Sequence, residues 1–211
     1  MRSRATLICA IAALALAFVA AATPAAPAKP DIHDRALAHQ LSTKVAAFRR
    51  IVTKSGAGLQ KSIDTCPVAK KDPSQAFALV IAAVPALFTE IVTDYKPQIV
   101  ALRNTTAAMH PDAPVFTTWL TALGKSFDLL LEFDNHGKHV DICRAATVLL
   151  DKHSTAADVH RVLGIDPALI GQLFTNKSQA QLTKLEPKMT AFFVAAGLSK
   201  KNAQILTSSS S

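Results

Sequence analysis

Residues 37–52 read LAHQLSTKVAAFRRIV, and the spacing of their apolar positions decides the fold. Leu37, Leu41, Val45, Phe48 and Val52 step by 4, 4, 3 and 4. That period places all five on one stripe of an α-helix and is incompatible with a strand, whose faces alternate every second residue. The stripe resumes at Leu59, Ile63 and Cys66, beyond Ser55-Gly56-Ala57-Gly58. Glycine inside a helix costs about 1 kcal/mol relative to alanine, so the helix is expected to weaken or bend there, with close packing as the reason for the glycines. Cys66-Pro67 ends the segment.

The same period recurs downstream. Asp72-Pro73 is a helix start, an N-cap followed by proline at the first helical position. Phe77, Val80, Val84, Leu87, Ile91 and Tyr95 follow at helical spacing. Pro85 leaves the Ile81 carbonyl without its helical partner, which predicts a kink, and Pro97 bends or ends the helix. After the turn His110-Pro111-Asp112-Ala113-Pro114, a helix carries Phe116, Trp119 or Leu120, Leu123, Phe127, Leu130 and Leu131. Asn135-His136-Gly137 reads as its C-cap. A helix with Val140, Cys143 and Val148 comes next, then two short ones over 155–163 and 167–174. Ser178-x-x-Gln181 is a capping box for the last long helix, which also holds Pro187; Gly197 closes it, and 199–206 form a final short helix. No alternating stretch is long enough for a sheet. The expected fold is all-α: a single-domain helical bundle of about four long, partly Pro-kinked helices plus short ones, with one disulfide.

The N-terminus states the destination. Arg2 and Arg4 precede an apolar run to Ala22, and small residues follow, which is the pattern of a cleavable export signal. The expected organisation is a signal peptide over 1–22, a Pro/Ala-rich linker over 23–30, the bundle over 31–207 and a polar tail over 208–211. Alanine dominates the apolar run and three prolines follow, so a retained anchor is disfavoured. The longest later apolar segment, 76–88, contains Pro85 and suits a buried helix better than a membrane span.

Cys9 departs with the signal and leaves Cys66 and Cys143, which an oxidising compartment pairs in the one way available. Lys and Arg number 23 against 15 Asp and Glu, a net charge of +8. Basic residues occur as isolated pairs, Arg49-Arg50, Lys70-Lys71 and Lys200-Lys201. That dispersal reads as a solvated surface, with at most weak attraction to anionic cell-surface polymers or lipid head groups.

Several chemistries are excluded. Residues 159–170 resemble a DNA-binding helix-turn-helix, but His160 occupies a tight position that favours a small side chain. The helix that would read bases has no basic residue, so no nucleic-acid partner is expected. Gly124-Lys125-Ser126 has Trp119 where a phosphate loop needs glycine. There is no Gly-x-Ser-x-Gly elbow, no His-Glu-x-x-His helix and no Glu-x-x-His pair, which removes the common hydrolase, zincin and di-iron schemes. Asn104 and Asn176 fit the glycosylation pattern.

Two ligand readings remain. His136 and His139, with Asp134 and Asp141 beside them, form a metal candidate, since imidazole and carboxylate together suit a divalent ion. Met109, His110, His153 and Tyr95 are haem-ligand types beside an apolar interior, without a covalent attachment motif. No cofactor is assigned. The expected function is non-enzymatic: an exported helical protein with a binding or structural role at the cell surface, in the periplasm or outside. The alternative is a carrier of a lipid or non-covalent haem, with Phe77, Leu87, Phe127 and Phe192 lining a pocket of at least about 300 Å³.

Overall fold

Apolar residues at helical spacing do form helices throughout. The computed structural model describes residues 29–67 and 73–208, and the signal-peptide reading, with Asp72, lies outside them. The elements are α1 (Ile32–Thr65), α2 (Pro73–Ala107), α3 (Pro114–Leu131), α4 (Ile142–Leu150), α5 (Ala156–Leu163), α6 (Pro167–Thr175), α7 (Lys177–Ala195) and α8 (Lys200–Thr207). No strand occurs among the described residues. The protein is an all-α bundle with a Cys66–Cys143 disulfide, the two Cα atoms 5.6 Å apart.

Contacts gather the chain into two compact units. Of the described residues, the first takes 29–49, 97–128 and 176–208; the second takes 50–67, 73–96 and 129–175.

The first unit is built on aromatic rings. Phe116, Trp119, Phe192 and Phe193 are all buried, together with Leu41, Met189 and Ala203. Phe116 lies 5.3 Å from Phe193 and 5.4 Å from Phe192 between ring centres, and Trp119 lies 5.5 Å from Phe193. These are edge-on or tilted pairings, the arrangement that the ring quadrupole favours. Phe127 packs edge-on against Phe48 at 5.9 Å.

The second unit is anchored by caps and tight turns. Asp141 caps α4 by accepting from the Arg144 backbone at 3.1 Å. Thr155 and Asp158 form a reciprocal capping box on α5. Gly164 ends α5 in the left-handed region at φ 67°, and a Cβ there would meet Asn135 at 2.2 Å. Only glycine meets both demands.

The helix ends and bends differ from the sequence expectations in four places. The backbone around Pro85 keeps helical dihedrals, where Ala82, Ala83 and Ala86 are buried beside it; the break in α2 falls at Tyr95 (φ −131°, ψ 21°). Pro97 explains that position, because it withdraws a donor from the Thr93 carbonyl and crowds the turn between them. Helix α1 runs unbroken through Gly56 and Gly58, and neither is crowded: a Cβ on Gly56 would meet nothing within 4 Å. Helix α3 stops at Leu131, and Asn135-His136-Gly137 lies in the loop beyond it rather than at its cap. The cap of α7 is Asn176, whose side chain accepts from Ser178 at 3.0 Å, in place of Ser178 itself.

The apolar segment of α2 is longer than the 76–88 expected. Ser74–Ala107 contains an 18-residue window with mean hydropathy 2.1, long and apolar enough to cross a membrane. Half of that window is buried inside the fold, including Leu79, Ala82, Ala83, Ala86, Ile91 and Val92.

Candidate functional site

Three separated segments of the second unit meet around a pocket of about 340 Å³. Helix α1 contributes Gly58, Leu59 and Ser62; α2 contributes Ala86 and Glu90; the segment entering α4 contributes His139, Val140 and Ile142. Ala86 and Glu90 are one turn apart, so they present one face of α2. Ile142 precedes Cys143, and the disulfide ties that segment to Cys66 at the end of α1. The bridge therefore joins two of the walls directly.

The polar groups converge on the α2 side. Burial and the nearby Asp94 carboxylate raise the pKa of Glu90, against smaller lowering effects from His139 and a hydrogen bond with Ser55. Both raising effects penalise the ionised form. His139 Nε2 is 3.7 Å from Asp94 Oδ1. Gly58 leaves the opposite wall bare, and a side chain begun there would meet Glu90 Oε1 at 3.9 Å. Leu59, Ala86, Val140 and Ile142 supply apolar surface between the polar groups.

The loop carrying His139 is held by its own charges. Asp134 pairs with Lys96 and also accepts from the His136 backbone at 3.1 Å. The hydrogen bond from Lys96 is the main cause holding the Asp134 carboxyl below its ordinary value of 3.8. A carboxylate with a lowered pKa stabilises the fold fully above its unfolded value, and that stabilisation is lost as pH falls through the lowered one. Asp134→Asn is expected to remove between about 0.2 and 1 kcal/mol at neutral pH, the range for an exposed pair. The difference from wild type should vanish in acid below the Asp134 pKa. Denaturant melts of both proteins from pH 2 to 7 measure this, and a pH-independent difference would contradict it.

The chain matches no protein-family model, no curated protein and no solved structure. Its site is therefore read from its own residues alone.

The sequence candidates are distributed as follows. His139 lines the pocket, whereas His136 sits in the left-handed region at φ 50° with its side chain exposed. Three residues apart, the two imidazoles would share one side of a helical turn, but no such turn forms here, because His136 and Gly137 both adopt positive φ. Of the four pocket candidates, Phe192 and Phe127 are buried in the first unit, Phe77 is 62% exposed and Leu87 is half-buried in the second. None of the four lines the pocket. The haem-ligand types are not brought there either: Met109 is buried in the first unit's core, the His110 carbonyl accepts from His33 at 3.1 Å, and His153 is exposed.

The sequence reading missed Glu90, Asp94 and Gly58. The available signal was Glu90 itself, the lone charge in the apolar run from Ala76 to Val92. Elsewhere, Asp31, Asp34 and Asp112 bring carboxylate oxygens within 4.8 Å of one another in the first unit. Two of those carboxylates serve as backbone acceptors. Asp31 takes the Asp34 N–H at 2.7 Å, and Asp34 takes the Asp112 N–H at 3.0 Å.

Proposed function

We propose that this is an exported, non-enzymatic protein that binds a small ligand in the pocket of its second unit. The observation carrying the reading is a pocket of about 340 Å³ where Glu90 and His139 face apolar walls that the Cys66–Cys143 bridge holds together. Its volume falls within the range of small-molecule sites, and a few convergent polar groups on apolar walls are what fix a ligand's orientation. The disulfide is compatible with an oxidising, exported location, and the N-terminal pattern of basic residues, apolar run and small residues supports export through a cleaved signal. Mixed polarity shifts the carrier idea away from an all-apolar cargo.

A second reading has one feature in its favour. Phe77 is 62% exposed near the start of an apolar helix, as a docking contact for another macromolecule would be.

The test is the intact native mass of the protein purified without denaturant from an exporting host. A small-molecule adduct on a chain beginning after Ala22, or within 23–28, is the expected result. Gly58→Leu, which extends a side chain towards Glu90 from an exposed helical position, should abolish the adduct. A bare mass under gentle ionisation, with the full N-terminus retained, would sink both halves of the proposal.

A further inference from the structure

We infer that the pocket takes a small organic ammonium ion with an apolar body, the charge meeting Glu90 and Asp94 and the body lying on the walls. This rests on the pocket being a ligand site and names the class of its ligand.

The argument is one of charge and shape together. Glu90 lines the pocket, and Asp94, one turn further along α2, flanks it: its carboxylate lies 3.7 Å from the lining His139 and acts on Glu90. No lysine or arginine is among the lining residues. The nearest lysine along α2, Lys96, is engaged by Asp134. Among the described residues Glu90 makes no ion pair with a basic side chain. An anionic ligand would meet this pair as repulsion. A neutral apolar ligand would cover the Glu90 carboxylate without replacing the water it loses. A cation does the reverse: burial and Asp94 both oppose the ionised form of Glu90, more than His139 and Ser55 favour it, and a positive charge beside it relieves that opposition.

The volume decides between kinds of cation. A bare metal ion would use His139 and Asp94 at the pocket's α2 edge and leave about 340 Å³ beside Leu59, Ala86, Val140 and Ile142 unfilled. An ammonium group on a short aliphatic chain uses both parts. Its three N–H donors suit carboxylate acceptors, and a charge-assisted bond of that kind is roughly twice as strong as a neutral one.

The probe is n-hexylammonium chloride, titrated into the purified protein with its disulfide intact and followed by backbone amide NMR shifts. Hexylammonium is expected to shift the amides of Gly58, Ala86 and Ile142 saturably. n-Hexanol, with the same body and no charge, should bind at least about tenfold more weakly. Glu90→Gln should weaken hexylammonium binding about tenfold and leave hexanol unchanged, with an undisturbed spectrum showing that the variant is folded. Equal binding of hexanol and hexylammonium would overturn the inference. So would Zn²⁺ binding that excludes hexylammonium and is lost in His139→Ala. If hexylammonium shifts nothing while the purified protein carries an adduct that Gly58→Leu removes, the ammonium assignment falls and the pocket reading stands.

Discussion

Replacing Cys66 and Cys143 together by alanine is expected to lower the free energy of unfolding by about 4 kcal/mol. The two residues are 77 apart in sequence, and releasing a loop of that length restores roughly this much chain entropy to the unfolded state. Cys66 is fully buried, so serine in its place would add a buried hydroxyl and a further loss; alanine isolates the effect of the bridge. Guanidinium melts of the oxidised protein, its reduced form and the double variant measure the difference. Reduced wild type and double variant should coincide within about 1 kcal/mol. A loss below about 1 kcal/mol would mean that the unfolded chain is already confined without the bridge. The variant should also lose the hexylammonium binding proposed above at denaturant concentrations where helical circular dichroism persists, because the bridge joins two walls of the pocket.

Phe116→Ala should cost about 3–5 kcal/mol, the range for removing a buried aromatic ring from a filled core. Phe116 is fully buried and touches Trp119, Phe192 and Phe193, so three large rings lose a neighbour at once. Trp119 is the sole tryptophan in the chain, and its fluorescence therefore reports this core directly. A Trp119 unfolding curve moved to lower denaturant, with Phe116→Leu in between, is the expected pattern. A loss smaller than about 1.5 kcal/mol for the alanine variant would show that Phe192 and Phe193 collapse into the space.

Helices were legible because their signal repeats. Leu37 to Val52 states the same period four times over, and no single residue can spoil it. Caps were less so. Asn176 and Ser178 both carry an oxygen able to accept from a first-turn N–H, and only the chain's entry into α7 selects Asn176. Of the two bends expected in α2, the one at Pro97 is present, at Tyr95, and the one at Pro85 is not, for a related reason. Pro85 and Pro97 remove the same bond, but buried small neighbours hold the helix straight at one while the chain yields at the other.

The pocket was not legible because no local stretch contains it. Residues 58–62, 86–90 and 139–142 come together only after folding, and the spacing between them carries no period. Large aromatic residues misled for a physical reason. Phe127 and Phe192 are the side chains best able to fill space, so they close the core of the first unit instead of lining an opening. The His136 and His139 spacing did not show which of the two reaches the pocket, because two consecutive left-handed residues, His136 and Gly137, rotate the chain between them.

The apolar window of α2 bears on the export proposed above. A polypeptide threaded through a translocation channel offers each apolar stretch to lipid in turn, and one of 18 residues at hydropathy 2.1 invites lateral escape into the bilayer. Glu90 is the one charge inside that apolar stretch, near its C-terminal end, and Asp94 follows just beyond it, so both oppose partition there by less than a central charge would. On the export route proposed above, the Glu90 carboxylate that lines the folded pocket would also act earlier, by disfavouring passage of this segment into lipid.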